Sequence, residues 1–233
     1  MIDLLRARRV LTVFAHPDDE TLAAGATIAK LARLGSEIHV VIPATGIYAR
    51  RNREDVSSFD AALAKLRADC TTAMGCLGIS DGDVTFGEFA DNEMDGETLL
   101  TIIHWLQDIF DRFKPDLVLT HCKECTNVDH QICFEAVTVI TRPGLGFNVP
   151  VMCGEVPSST GYRRPTMFEP NVYIEVSTDD IVRKIRSMQS YAGEARPDPH
   201  PRSPEVLRAL AKVRGSESGF HWAEAFMLLR AFG

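Results

Sequence analysis

A chain of 233 residues, 45% of them hydrophobic and 24% charged, suits one domain with a continuous core, and residues 1–233 are read as that single domain. The formal net charge of -7 and pI near 5.5 argue against nucleic acid or an anionic membrane as partner, since both reward basic faces, and favour a small molecule. The apolar segment that ends before His16 is too short for a signal-peptide core or a bilayer span, and the six cysteines of a domain this large are expected as reduced thiols. A cytoplasmic location is expected.

In chain order, the β-branched run at residues 10–14 predicts a buried strand, and residues 21–34, rich in Ala and Leu and closed by Gly35, predict a helix. Residues 36–43 repeat the strand signal and 52–77 the helix signal. A further helix is expected at 96–113 and a strand at 116–120. In residues 128–140 the apolar positions Ile132, Cys133, Ala136, Val137 and Ile140 share a helical stripe, which puts Asp129 and His130 in the first turn. Two strands, 149–153 and 171–176, precede helices near 178–191, 203–213 and 222–229. Ser203-Pro204-Glu205 has a capping serine and a proline at the first helical position. The Pro-rich stretch 196–204 reads as a rigid connector. This alternation predicts an α/β fold, a Rossmann-like three-layer sandwich built on a mostly parallel sheet.

The run His16-Pro17-Asp18-Asp19-Glu20 falls where the first strand ends, and open parallel sheets bind ligands outside the carboxyl ends of their strands. A histidine and a carboxylate three positions apart in a tight turn can reach one divalent cation, and His130, after the strand at 116–120, can supply a third ligand. Three protein ligands leave a position for water, as a hydrolytic metal requires. A blander reading stands beside this one: the acids at 18–20 meet the dipole of a helix start, His16 is a satisfied histidine at a strand end, and Asp129-His130 is again a capped helix start. Cys122 and Cys125, with His121 and His130 nearby, offer a structural metal pattern of poor ligand spacing, and a loop position is the simpler reading. No Gly-rich phosphate motif follows the first strand, and no Gly-x-Ser-x-Gly elbow is present. Arg50, Arg51 and Arg53 lie at the start of a predicted helix, where the dipole disfavours cations, so a ligand contact is expected from among them.

The Ala15-His16-Pro17-Asp18-Asp19-Glu20 run resembles the hallmark of the PIG-L or LmbE-like deacetylases. Thr45-Gly46, Phe89-Ala90-Asp91-Asn92, Asn127-Val128-Asp129-His130 and the stretch from Arg214 to Phe226 look like further landmarks. The resemblance implies His16, Asp19 and His130 as zinc ligands, with another divalent ion such as Fe2+ as the alternative, and Asp18 as the general base toward the metal's water. Many members carry a histidine where this chain has Asn127. An amide donates a hydrogen bond but cannot titrate, so Asn127 is expected to donate to the oxyanion or orient the substrate, with His121 as the substitute donor or, equally, a structural residue. Arg50, Arg53 and Asp91 are the expected substrate contacts. The implied reaction is hydrolysis of an N-acetyl group on a small sugar or nucleotide-sugar. An amidase acting on a thiol-sugar conjugate and a non-catalytic sugar-binding protein are the other readings, and self-association is left open.

Overall fold

The strand β1 (Arg9–Val13) alternates as a doubly covered strand should: Val10 packs with the apolar cluster on one side of the sheet, Leu11 and Val13 with the cluster on the other. The computed structural model describes residues 6–47, 56–144, 148–162 and 167–232. Parallel pairing joins β1 to β2 (Glu37–Ala44) and to β4 (Leu117–His121), with Val13 opposite Val41 on one side and Thr120 on the other. The sheet continues outward through β3 (Val84–Phe89) beyond β2 and β5 (Val151–Gly154) beyond β4. Past β5 come β7 (Ala223–Arg230) and then β6 (Val172–Glu175), so the order is β3-β2-β1-β4-β5-β7-β6. The chain winds outward from β1 in both directions, and a crevice opens between the carboxyl ends of β1 and β4.

Helices α1 (Asp19–Arg33), α2 (Val56–Leu77), α5 (Thr178–Ser190) and α6 (Pro204–Ser218) contribute to the core on one face, and α3 (Leu99–Phe113) and α4 (Val128–Ile140) to that on the other. The three-layer α/β architecture expected from the alternation is what forms. In α3 the buried residues Ile102, Leu106, Ile109 and Phe110 form one helical stripe, and Thr98 caps it by accepting from Thr101 N at 3.2 Å. Ser203 caps α6 through Val206 N at 3.2 Å, with Pro204 at the first position as expected. No helix among the described residues is long and apolar enough to cross a membrane.

Two expectations are corrected. The segment expected as a helix at 222–229 is the strand β7, although Ala, Glu, Met and Leu fill it. It lies between β5 and β6 and pairs antiparallel with both, so ladder bonds on both edges outweigh helix propensity. The strand β3 was not anticipated: it is a half-buried edge interrupted by Gly87, where a Cβ would stand 2.3 Å from the Pro43 carbonyl oxygen. A buried ion pair locks β7 to the helical layer. Lys184 Nζ donates to Glu224 Oε1 at 2.6 Å and to the Leu22 carbonyl at 2.8 Å, while Glu224 accepts from Ala26 N at 3.1 Å and Thr27 N at 2.6 Å in α1.

Candidate metal centre

The turn between β1 and α1 carries the first half of the site. Asp18 sits at the N-cap position of α1 with φ 111° and ψ -28°, a left-handed conformation that costs an ordinary L-residue roughly 1–2 kcal/mol, and its side chain makes no capping bond. The carboxylate is thereby directed away from the helix end, where the blander reading placed it, and Arg202 Nη2 stands 3.2 Å from its Oδ2. Arg202 also pairs with Glu194. Pro17 closes against Gly46, where a Cβ would come within 2.8 Å of the proline ring and where φ is +80°. That close approach is the physical reason for Thr45-Gly46 after β2. Glu20 faces the interior instead: its Oε1 accepts from Thr21 Oγ1 and from the Tyr191 hydroxyl, both at 2.7 Å.

The second half comes from the loop after β4. Asn127 is the N-cap of α4, its Oδ1 accepting from Asp129 N at 2.9 Å and His130 N at 3.4 Å, and its Nδ2 donating to Asn92 Oδ1 at 2.9 Å. The cap sets the first turn so that His130 faces Asp19 across the crevice. His16 Nδ1, Asp19 Oδ2 and His130 Nε2 then form a triangle with sides of 3.0, 3.2 and 2.9 Å. A tetrahedral zinc ion with bonds of about 2.0–2.1 Å holds its ligand atoms roughly 3.4 Å apart, so two imidazole nitrogens and a carboxylate oxygen at this spacing fit such an ion. All three residues are buried.

His16 Nε2 meets a second acidic group, Asp91 Oδ1 at 3.0 Å and Asp129 Oδ2 at 2.9 Å. These carboxylates have other duties. Asp129 accepts from Asn92 N at 2.6 Å and Met94 N at 3.1 Å, and Asp91 from Asn92 Nδ2 at 2.6 Å. They suit the task of holding the His16 ring from behind so that Nδ1 faces the triangle, as carboxylates behind metal-bound histidines commonly do. Asp91, expected at the substrate, lines the cavity above the triangle and is also placed against His16.

The charges are strongly interdependent. Burial alone would depress the His16 imidazolium, but hydrogen bonds from Asp129, Asp19 and Asp91 outweigh it and hold its pKa well above the ordinary histidine value. Burial likewise opposes charge on His130, yet Asp19 and Cys125 raise it to about 9. Asp19 would be pushed up by burial, and His130, His16 and His121 hold it well below the usual carboxylate range. Asp18 is pushed the other way: burial raises it well above that range, Arg202 opposes, and Asp19, Glu194 and Glu20 add repulsion.

A cavity of 390 Å³ opens onto the triangle, lined also by Asp18, Asn92, Asn127, Ser158 and Ser159 and by the segment carrying Glu194, Arg196, His200 and Arg202. The stretch read as a plain connector is therefore a pocket wall. His121 does not line the cavity: it is buried, its Nε2 accepts from Ala15 N at 2.7 Å, and its ring stacks on His130 with centroids 3.8 Å apart. Burial and the neighbouring His130 charge push its pKa well below the ordinary value, as befits a neutral support behind the ligands. The assignment of His121 as substitute oxyanion donor is thus not supported by its position. Arg50, Arg51 and Arg53 lie outside the described residues. Arg202 and Glu194 escaped the sequence reading, because only the folded chain brings the Pro-rich stretch to the crevice, whereas Cys125 lies in a loop beside the site as expected.

A 1D-myo-inositol 2-acetamido-2-deoxy-alpha-D-glucopyranoside deacetylase from Rhodococcus jostii is 38% identical over 96 residues, which cover 38% of this chain and only 33% of that protein's length. The protein of the same name from Mycolicibacterium vanbaalenii is 28% identical over 204 residues, 76% of this chain and 70% of that one. Among solved structures, the N,N'-diacetylchitobiose deacetylase from Pyrococcus horikoshii superposes with a TM-score of 0.76 at 20% identity, covering 96% of this chain and 84% of that one. The 4-carboxy-2-hydroxymuconate hydratase from Pseudomonas putida gives a TM-score of 0.76 at 21% identity over 97% and 98% of the two chains. At such identities the structural likeness speaks for the fold alone. The family described as PIG-L, GlcNAc-PI de-N-acetylase, matches residues 11–141, more than half of the chain, from within β1 to just past the end of α4, and the protein belongs to that family.

Proposed function

We propose that the protein is a metal-dependent N-deacetylase that hydrolyses the acetamide of a small, hydroxylated, sugar-like substrate. The observation that carries the reading is the triangle of His16 Nδ1, Asp19 Oδ2 and His130 Nε2 at the floor of a polar cavity, with the Asp18 carboxylate beside it. His16, Asp19 and His130 would hold the ion, zinc by its donor set, with Fe2+ as the alternative. When bound, the ion supplies Lewis acidity toward the amide carbonyl and toward water. Asp18 takes the proton of the attacking water and returns it to the amine as the C–N bond breaks, giving acetate and a free amine. Arg202 anchors Asp18 in that orientation. One amide hydrogen of Asn127 goes to Asn92, and the second is the donor assigned to the carbonyl oxygen. Ser158, Ser159, Asn92 and Glu194 offer hydrogen-bond partners to hydroxyl groups, in a volume within the range of small-molecule sites. Six free thiols suit a reducing, cytoplasmic setting.

The test is to incubate the zinc-loaded protein with a panel of N-acetylated amino sugars and nucleotide sugars, and to measure acetate and free amine in parallel. Equal yields of both from at least one substrate are expected. The same fold carries a hydratase, so water addition to an unsaturated acid without acetate release would overturn the deacetylase reading.

A further inference from the structure

Metal-bound histidines are oriented from behind, and the two in this triangle are oriented differently. His16 has the carboxylates of Asp91 and Asp129 at its outer nitrogen, whereas His130 Nδ1 lies 3.0 Å from the Cys125 thiol. Stacking on His121, with 15° between the planes, fixes the plane of the His130 ring but not which nitrogen carries the hydrogen. The Cys125 sulfur is buried and donates to Ser159 Oγ at 3.1 Å. A thiol has one hydrogen, so a sulfur that donates to Ser159 meets His130 as an acceptor.

We propose that Cys125 is a positioning residue for His130: it accepts the hydrogen of Nδ1, leaves Nε2 bare toward His16 and Asp19, and passes its own hydrogen to Ser159 on the pocket wall. The inference rests on the metal assignment above. The surrounding backbone holds the thiol in place for it. Thr126 N and Thr126 Oγ1 both donate to the Ser159 carbonyl, at 3.2 and 3.0 Å. Cys125 forms an isolated antiparallel bridge with Thr160, and Gln131 Nε2 donates to the Cys125 carbonyl at 2.9 Å. The sulfur therefore joins a metal ligand to a residue that lines the substrate cavity.

The test is zinc affinity, measured by competition with a chelator, for the wild-type protein and for Cys125→Ala, Cys125→Ser and His130→Ala, each checked for folding by circular dichroism. Alanine and serine are close in size, so packing loss is common to both and the hydroxyl alone separates them. Cys125→Ala should bind zinc about 10–100-fold more weakly. Cys125→Ser, which accepts and donates in the same two directions, should stay within a few-fold of wild type. Nitrogen NMR of the zinc-loaded wild type should show His130 protonated at Nδ1. Wild-type affinity in Cys125→Ala, or an equal loss in the serine variant, would overturn the positioning role while leaving the metal site intact. Undiminished affinity in His130→Ala would instead remove the metal assignment, and the inference with it.

Discussion

Replacing Asp18 with asparagine separates the proton-transfer role from the others that this carboxylate could play. Asp18 is 1% exposed, and its raised pKa reports a buried charge crowded by Asp19, Glu194 and Glu20 and relieved by Arg202. Asparagine removes that repulsion, tolerates the left-handed φ of 111° about as well as aspartate, and leaves Arg202 its partner Glu194. The folded variant should therefore be at least as stable as the parent and keep its metal. It cannot accept a proton. General-base catalysis contributes 10²–10⁴-fold, so kcat should fall by about 2.7–5.4 kcal/mol of barrier, with little change in substrate affinity. The assay is acetate release under saturating substrate, with metal content measured on the same samples. Turnover within tenfold of wild type would refute the base assignment, and loss of metal would make Asp18 a ligand. Asp18→Ala is the informative contrast: it adds roughly 1–2 kcal/mol of left-handed strain, so its thermal unfolding should fall below that of the asparagine variant.

Three further outcomes are expected. Asn127→Ala removes the cap of α4 and should cost roughly 0.5–2 kcal/mol in thermal unfolding, with turnover falling about 10²–10³-fold if the amide meets the carbonyl oxygen; Asn127→Ser should recover the stability but not the turnover. Zinc affinity should weaken as pH falls below 9, because His130 is held protonated up to about 9 and the ion takes a neutral imidazole; chelator competition between about pH 6 and 8 should show roughly tenfold per unit for each proton displaced, and a flat profile would contradict the charge assignment. Lys184→Met leaves Glu224 buried with only the Ala26 and Thr27 amides, which should destabilise the fold by about 3–5 kcal/mol in denaturant titration; a loss under about 1 kcal/mol would mean that the lysine is dispensable there.

The elements that position the ligands were legible in the chain because their signals are local. β1 is a β-branched run that ends at the His16 turn, and α4 declares itself by a stripe and an Asn cap, so the two strand-end motifs and their convergence could be inferred. What escaped depends on neighbours distant in sequence. β7 reads as helix in every residue and becomes a strand only because β5 and β6 flank it. Asp91 gives no local hint that, besides lining the cavity, it stands against His16. Arg202 looks like one more cation among prolines until the fold brings it to Asp18 across 184 positions of sequence. Of the two readings of His121, donor or structural residue, its burial favours the second, since its position in β4 turns it toward Phe14 and Ala15.

The cavity divides along the chain in a way that bears on how such proteins diversify. Every proposed metal ligand and the carboxylates behind His16 fall between residues 16 and 130, inside the stretch matched by the family, whereas Ser158, Ser159, Glu194, Arg196, His200 and Arg202 lie beyond it. Loops of this second group can vary in length and chemistry without disturbing β1 or β4, as long as Ser159 still meets Cys125 and Arg202 still meets Asp18. The proposed ligand set and much of the pocket wall thus fall on separate segments of the chain. Exchanging only residues 195–200 for those of a relative would be the economical way to alter which acetamide the proposed deacetylase accepts, since Ser159, Glu194, Arg202 and the core helix α5 then stay in place.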